Sequence, residues 1–166
     1  MSAARVRDIR KRLNAADPET LERLLLLMEP TAKPASVRSA DDSAAHLRPL
    51  LVGLEVEHFA IVFLTRQLKV IACEVLSKGG TDHTIVCART IFRRAIVLGA
   101  HGIVMGHNHP SGELVASSAD LAVTRRMVDA GALLGIEVMD HLIVTNGGHV
   151  SMAQLGQMPG AKSAPF

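Results

Sequence analysis

Asn146-Gly147-Gly148 stands between two apolar runs, Ile136 to Thr145 and His149 to Met152, and constrains the fold more than any other feature. Asn-Gly pairs readily take the positive backbone angles of a tight hairpin, so the chain should close on two antiparallel strands. Upstream, strand-like and helix-like segments alternate. Ala44 to Leu51 reads as a helix, His58 to Leu64 as a buried strand, and Val70 to Leu76 as a second strand ended by a turn at Gly79-Gly80. Ile91, Phe92, Ala95 and Leu98 recur at helical spacing, and Gly99 sits where a C-cap glycine belongs. Gly102 to Gly106 is a short central strand, and Ser118 to Leu134 is a helix. Alternation with a closing hairpin predicts an α/β fold with a mixed β-sheet flanked by helices. No internal repeat is visible.

The core of such a sheet has to be aliphatic. Hydrophobic residues are 48% of the 166, aromatic residues only 2%, and Trp and Tyr are absent. Phe59, Phe63 and Phe92 lie in apolar runs expected to be core, which weighs against a stacking platform for single-stranded nucleic acid. A formal charge of +2 does not by itself imply a nucleic-acid partner. Cys73 and Cys87 form no CxxC pair and fit a reducing compartment better than a disulfide scaffold. A membrane span needs roughly 20 apolar residues, and the apolar stretches are far shorter. The first residues are charged, with no apolar segment before a cleavage site, so a cytoplasmic protein is expected.

Residues 1–36 read as a short helical extension and linker. Arg5 to Leu13 carries five basic side chains around Val6, Ile9 and Leu13, which suits a short amphipathic helix with a solvated basic face; a nucleic-acid arm is the alternative. Asp17 can cap a second helix with Pro18 in its first turn, and Pro30 and Pro34 then open a linker. Residues 37–158 are the expected domain, and 159–166 a flexible tail.

The chemistry is concentrated in His107-Asn108-His109-Pro110-Ser111-Gly112, followed by Ser117 and Asp120. Residues two apart on an extended segment point to one side, so both imidazoles can face one ion. Pro110 and Gly112 force a turn, which swings the next helix back with Asp120 in its first turn. Two neutral imidazoles and one carboxylate are the three-ligand set of a catalytic zinc that keeps its fourth position for water. Each part also has a plainer reading. Ser117 and Asp120 form an S-x-x-D capping box, and either histidine alone could be an ordinary loop residue. The capping and metal roles are compatible, and it is the convergence of all four residues that favours a site.

A general base should come from another element. Glu57, just before the apolar run from His58, is the best candidate, because a carboxylate opening a buried strand must be solvated, paired or working. Its plainer reading is a solvated strand-end residue. Glu55 competes from the same face, and Glu113 lies in a loop too exposed to be a rigid base.

These residues resemble the JAMM motif of the JAB/MPN metalloprotease domains: a distant Glu, then H-x-H, seven residues, and S-x-x-D. Pro110 to Ala116 are the seven here. The longer string from His107 to Gly112 resembles the bacterial RadC-like branch. So do Gly79 ahead of the Arg89 helix, Thr124-Arg125-Arg126, and Asp140-His141-Leu142-Ile143-Val144. The resemblance implies a three-layer, cytidine-deaminase-like architecture with a partly curled sheet. It implies one zinc per chain on His107, His109 and Asp120, with Glu57 moving protons and Ser117 stabilising the oxyanion. Zinc would lower the pKa of water towards about 7 and polarise the carbonyl, for hydrolysis of a peptide or isopeptide bond.

The chain departs from that branch in its short N-terminal region, which lacks the glycine-centred turn of a helix-hairpin-helix, and in Thr90 following Arg89 where Glu is frequent. Arg89 could still orient a substrate. His141 is expected to support the site rather than ligate, and His46, His58, His83, His101 and His149 to be solvated or locally bonded. Two alternatives remain: a DNA-associated accessory module with a structural metal, and a non-haem iron enzyme, which uses the same ligand types. A zinc deaminase is disfavoured without a P-C-x-x-C partner. The expected partner is a peptide or protein substrate; nucleic acid is weakly supported, a membrane is not, and oligomeric state is open.

Overall fold

A computed structural model of the protein describes residues 17, 36–78 and 87–160. The expectations for the Arg5 and Asp17 helices, the Gly79-Gly80 turn, His83 and the end of the C-terminal tail lie outside the described residues. Residues 36–160 belong to one compact unit, Ala32–Phe166.

The described elements are α1 (Ala40–Leu51), β1 (His58–Leu64), β2 (Val70–Lys78), α2 (Ala88–Leu98), β3 (Gly102–Asn108), α3 (Ser118–Leu134), β4 (Glu137–Thr145) and β5 (Gly148–Ser151). The strands form an open sheet in the order β2-β1-β3-β4-β5. β1 runs antiparallel to β2 and to β3, β4 is parallel to β3, and β5 returns antiparallel to β4. The mixed sheet flanked by three helices is thus the expected α/β architecture. One parallel pair needs a crossover, and α3 is that crossover.

Alternation along β3 sorts the layers. Ile103 and Met105 pack in a core with Phe59, Ile61 and Phe63 of β1, Ile91, Phe92 and Ala95 of α2, and Met127 of α3. Gly106 faces the other way, where a Cβ would come within 2.6 Å of Leu47 Cδ1 on α1. So α1 covers one face, and α2 and α3 the other. Phe59, Phe63 and Phe92 are buried as expected. A fully buried phenylalanine is worth about 1.5–3 kcal/mol over an exposed one, and the rest of this layer is aliphatic.

Glycine decides how closely α3 meets the sheet. A Cβ on Gly131 would collide with the carbonyl oxygen of Ile136, whose amide donates to the Gly131 carbonyl at 3.0 Å. Gly99 and Gly135 end α2 and α3 in the left-handed region, at φ 64° and 67°.

Several boundaries differ from the pattern. α1 begins four residues early because Ser39 caps it, accepting from the Asp42 amide at 3.0 Å. β3 runs two residues further, to Asn108, because β1 and β4 pair with it on both sides up to Phe59–His107 and Val144–Asn108. Cys73 and Cys87 are free, and Cys87 is exposed at the cap of α2. Among the described residues no helix is long and apolar enough to cross a membrane.

Candidate metal centre

The extension of β3 puts His107 inside the sheet, on the face covered by α3, with no exposed surface. His109 follows just beyond the strand and stays half-buried, with its amide donating to the Val144 carbonyl at 3.1 Å. Pro110 to Gly112 then turn the chain as expected, with Gly112 at φ 82° and its amide donating to the His109 carbonyl at 3.0 Å. The loop returns at Ser117, the N-cap of α3.

The capping box is complete. Asp120 N–H donates to Ser117 Oγ at 3.2 Å, and Ser117 N–H donates to Asp120 Oδ2 at 2.7 Å. The Ser117 hydroxyl also donates to Oδ2, at 2.6 Å. Oδ2 therefore takes both bonds from Ser117, and Oδ1 turns to His107. Burial would raise the Asp120 pKa, but the adjacent His107 imidazole and the two bonds from Ser117 hold it well below the usual carboxylate range.

His107 Nε2 lies 2.9 Å from His109 Nε2 and 3.1 Å from Asp120 Oδ1, and His109 Nε2 lies 3.6 Å from Asp120 Oδ2. Tetrahedral coordination with bonds of about 2.0–2.1 Å sets ligand atoms about 3.3 Å apart, and the three separations bracket that value. The donor set fits as well. His109 Nδ1 is 2.8 Å from the Glu113 carbonyl, which can only accept, so that nitrogen carries the proton and Nε2 faces the cluster bare. Among the described residues this is the one group of three His, Cys, Asp or Glu side chains able to share an ion.

The structure thus brings His107, His109, Asp120 and Ser117 together. β1 and β3 pair up to Phe59–His107, and Glu57 lies two residues before Phe59, just ahead of β1. Glu57 is half-buried, whereas Glu55 and Glu113 are exposed.

Two contributions were not foreseen from sequence. Asn108 is buried, and its Oδ1 accepts from the His58 amide at 2.7 Å while its Nδ2 donates to the Val56 and Leu54 carbonyls at 3.1 and 3.4 Å. Those groups flank Glu57, so the residue between the histidines holds the segment bearing the carboxylate. The second is Thr124, whose Oγ1 lies 2.7 Å from His141 Nδ1; His141 Nε2 lies 2.8 Å from His107 Nδ1. Its spacing from Asp120, one helical turn, was the available signal. Burial first, and the neighbouring His107 second, hold the His141 imidazole well below its usual pKa and hence neutral. His141 contacts His107 and lies outside the cluster of His107, His109 and Asp120.

Residues 37–157 match the RadC-like JAB domain family. The chain is 40% identical over 114 residues to a UPF0758 protein of Symbiobacterium thermophilum, covering 69% of this chain and 49% of that one. It is 38% identical over 131 residues to a UPF0758 protein of Caldanaerobacter subterraneus, covering 79% and 56%. A UPF0758 protein of Finegoldia magna is 43% identical over 112 residues, covering 67% and 50%. The chain spans about half the length of the curated relatives it matches. Its sheet topology, the cluster at the end of β3 and the match over most of its length agree: the chain belongs to the RadC-like JAB domain family.

Proposed function

We propose that this chain is a zinc-dependent metallopeptidase or isopeptidase of the JAMM type, acting on a peptide or protein substrate. The observation that carries the reading is the convergence of His107 Nε2, His109 Nε2 and Asp120 carboxylate oxygens at 2.9–3.6 Å. Zinc held there would supply a Lewis acid that polarises the scissile carbonyl and activates water at neutral pH.

The rest of the work falls to side chains. Glu57 takes a proton from the attacking water and returns it to the departing amine as the C–N bond breaks. Asn108 keeps Glu57 in reach by gripping the main chain on both sides of it. Asp120 keeps its proton off across the neutral range, so it stays an anionic ligand. Ser117 holds Asp120 and would donate its hydroxyl to the developing oxyanion, a donor worth about 3 kcal/mol in other hydrolases.

The test combines metal analysis with cleavage. Protein purified without chelator should carry about one zinc per chain, and the loaded protein should cleave members of a peptide and isopeptide library. Glu57→Gln should lower turnover about 10²–10⁴-fold while keeping its zinc. Loss of metal in that variant would make Glu57 a ligand. Iron in place of zinc would favour the non-haem iron alternative, and duplex binding that survives His107→Ala would favour the DNA-associated one.

A further inference from the structure

We propose that His141 is a positioning residue: held by Thr124, it keeps the proton of His107 on Nδ1, so that His107 Nε2 faces the ion bare. The proposal rests on the reading that the triad holds a divalent ion, and it adds how the protein prepares the ligand.

The argument starts at an atom with no choice of role. The Asp120 main-chain carbonyl can only accept, and Thr124 Oγ1 lies 2.6 Å from it, so the single hydroxyl proton of Thr124 points there. Across the 2.7 Å contact with His141 Nδ1, Thr124 must then accept, and His141 donates from Nδ1. An imidazole buried this deeply against Phe59 is neutral. With its proton on Nδ1, its Nε2 is an acceptor. The 2.8 Å contact therefore runs from His107 Nδ1–H to His141 Nε2. A neutral His107 then has no proton left for Nε2, which faces Asp120 Oδ1 at 3.1 Å and the bare Nε2 of His109 at 2.9 Å. Two lone pairs at that distance repel unless a cation lies between them.

The relay is closed at both ends on ligands. It begins on the main chain of Asp120 in α3, crosses β4 at His141 and ends on the ring of His107 in β3. Its surroundings hold it still. Asp140, next to His141, accepts from the Ser151 hydroxyl at 2.5 Å and the Ala153 amide at 3.0 Å. That draws Met152 over Thr124, with Sδ 3.7 Å from Oγ1. All of Thr124, His141 and Met152 are fully buried, so water does not compete for the relay. A hydrogen-bond partner on the far nitrogen of a ligating histidine fixes the tautomer and raises its basicity, and losing such a partner costs about 10–100-fold in metal affinity.

Long-range ¹H–¹⁵N correlation spectra of metal-free protein at about pH 8, where histidines are neutral, should show His107 and His141 both as Nδ1–H tautomers. In zinc titrations against a chromophoric chelator, His141→Leu should weaken binding about 10–100-fold. His141→Gln, whose side-chain carbonyl can accept from His107, should stay within about threefold of the parent. Thr124→Val, which frees His141 to turn its proton toward His107, should fall between. A His107 protonated on Nε2 in the metal-free spectrum overturns the proposal, and so does parental affinity in His141→Leu. A Gln variant as weak as the Leu variant assigns the effect to packing and overturns it too. If His141→Leu does not fold, the parent spectrum and Thr124→Val decide. The spectra need neither zinc nor turnover, so they test the relay separately from the hydrolase reading, which fails on its own if the zinc-loaded protein cleaves nothing.

Discussion

The two ends of β3 solve different problems with the same kind of strand. At the Gly102 end, a cavity of about 630 Å³ opens among Gly102, Gly131, Gly135, Met139 and Met158, with Arg66, His101 and Glu137 at its walls. At the Asn108 end, three side chains able to share an ion crowd together with their supports. The roomy end has the volume of a small-molecule site. The crowded end has the convergence that chemistry requires, because an ion needs several polar atoms within a few ångströms and little else. Volume marks where a molecule could rest. Converging lone pairs mark where one could react.

Breaking the crowded end should have the larger consequences. His107→Ala removes a ligand and the end of the relay together; we expect no zinc after dialysis and cleavage at background, read by metal analysis and library assay. If that variant kept both, the ligand set would be wrong. Asn108→Ala should keep its metal but lose about 10²-fold in kcat, since a displacement of about 1 Å at a catalytic group has that cost. An unchanged kcat there would detach Glu57 from the reaction.

Acid should act next. His141 is buried neutral with its pKa lowered from 6.5, so its contribution to stability is full above 6.5 and falls as the pH drops toward its folded value. Asp120, lowered from 3.8, contributes above 3.8 and loses that contribution below it. Denaturant midpoints of the metal-free protein should therefore decline from about pH 6.5 downward, and His141→Gln should flatten the upper part of that decline. A slope unchanged in that variant would place the proton uptake elsewhere. Smallest of all is Ala132→Leu at the roomy end: the residue is exposed on α3, so stability should move within about 0.5 kcal/mol and zinc affinity not at all. A lost metal there would show that the two ends are coupled.

Much of the centre was legible because its parts are local. H-x-H followed by a forced turn and a helix cap is a pattern within fourteen residues, His107 to Asp120, and strand alternation and helix capping act at that range. The elements and the mixed sheet were legible for the same reason, through hydropathy period and turn glycines. What was hidden is non-local. β3 extends through His107 only because β1 and β4 pair on either side of it. Asn108 meets the main chain about fifty residues away. One local contact was hidden too, because the partner of His109 is the carbonyl of Glu113, a group every residue has. Glu113 was weighed for its side chain, and its main chain makes the contact.

Gly131 makes α3 a lever. With its backbone lying flat against Ile136, the helix has a fulcrum eleven residues, about 16 Å, from Asp120. A side chain inserted there would have to lift the helix, and a tilt of only about 5° would swing the Asp120 end by about 1.4 Å. That distance is most of the difference between a bound ligand and a missed one. A methyl group at the roomy end could thus empty the crowded one.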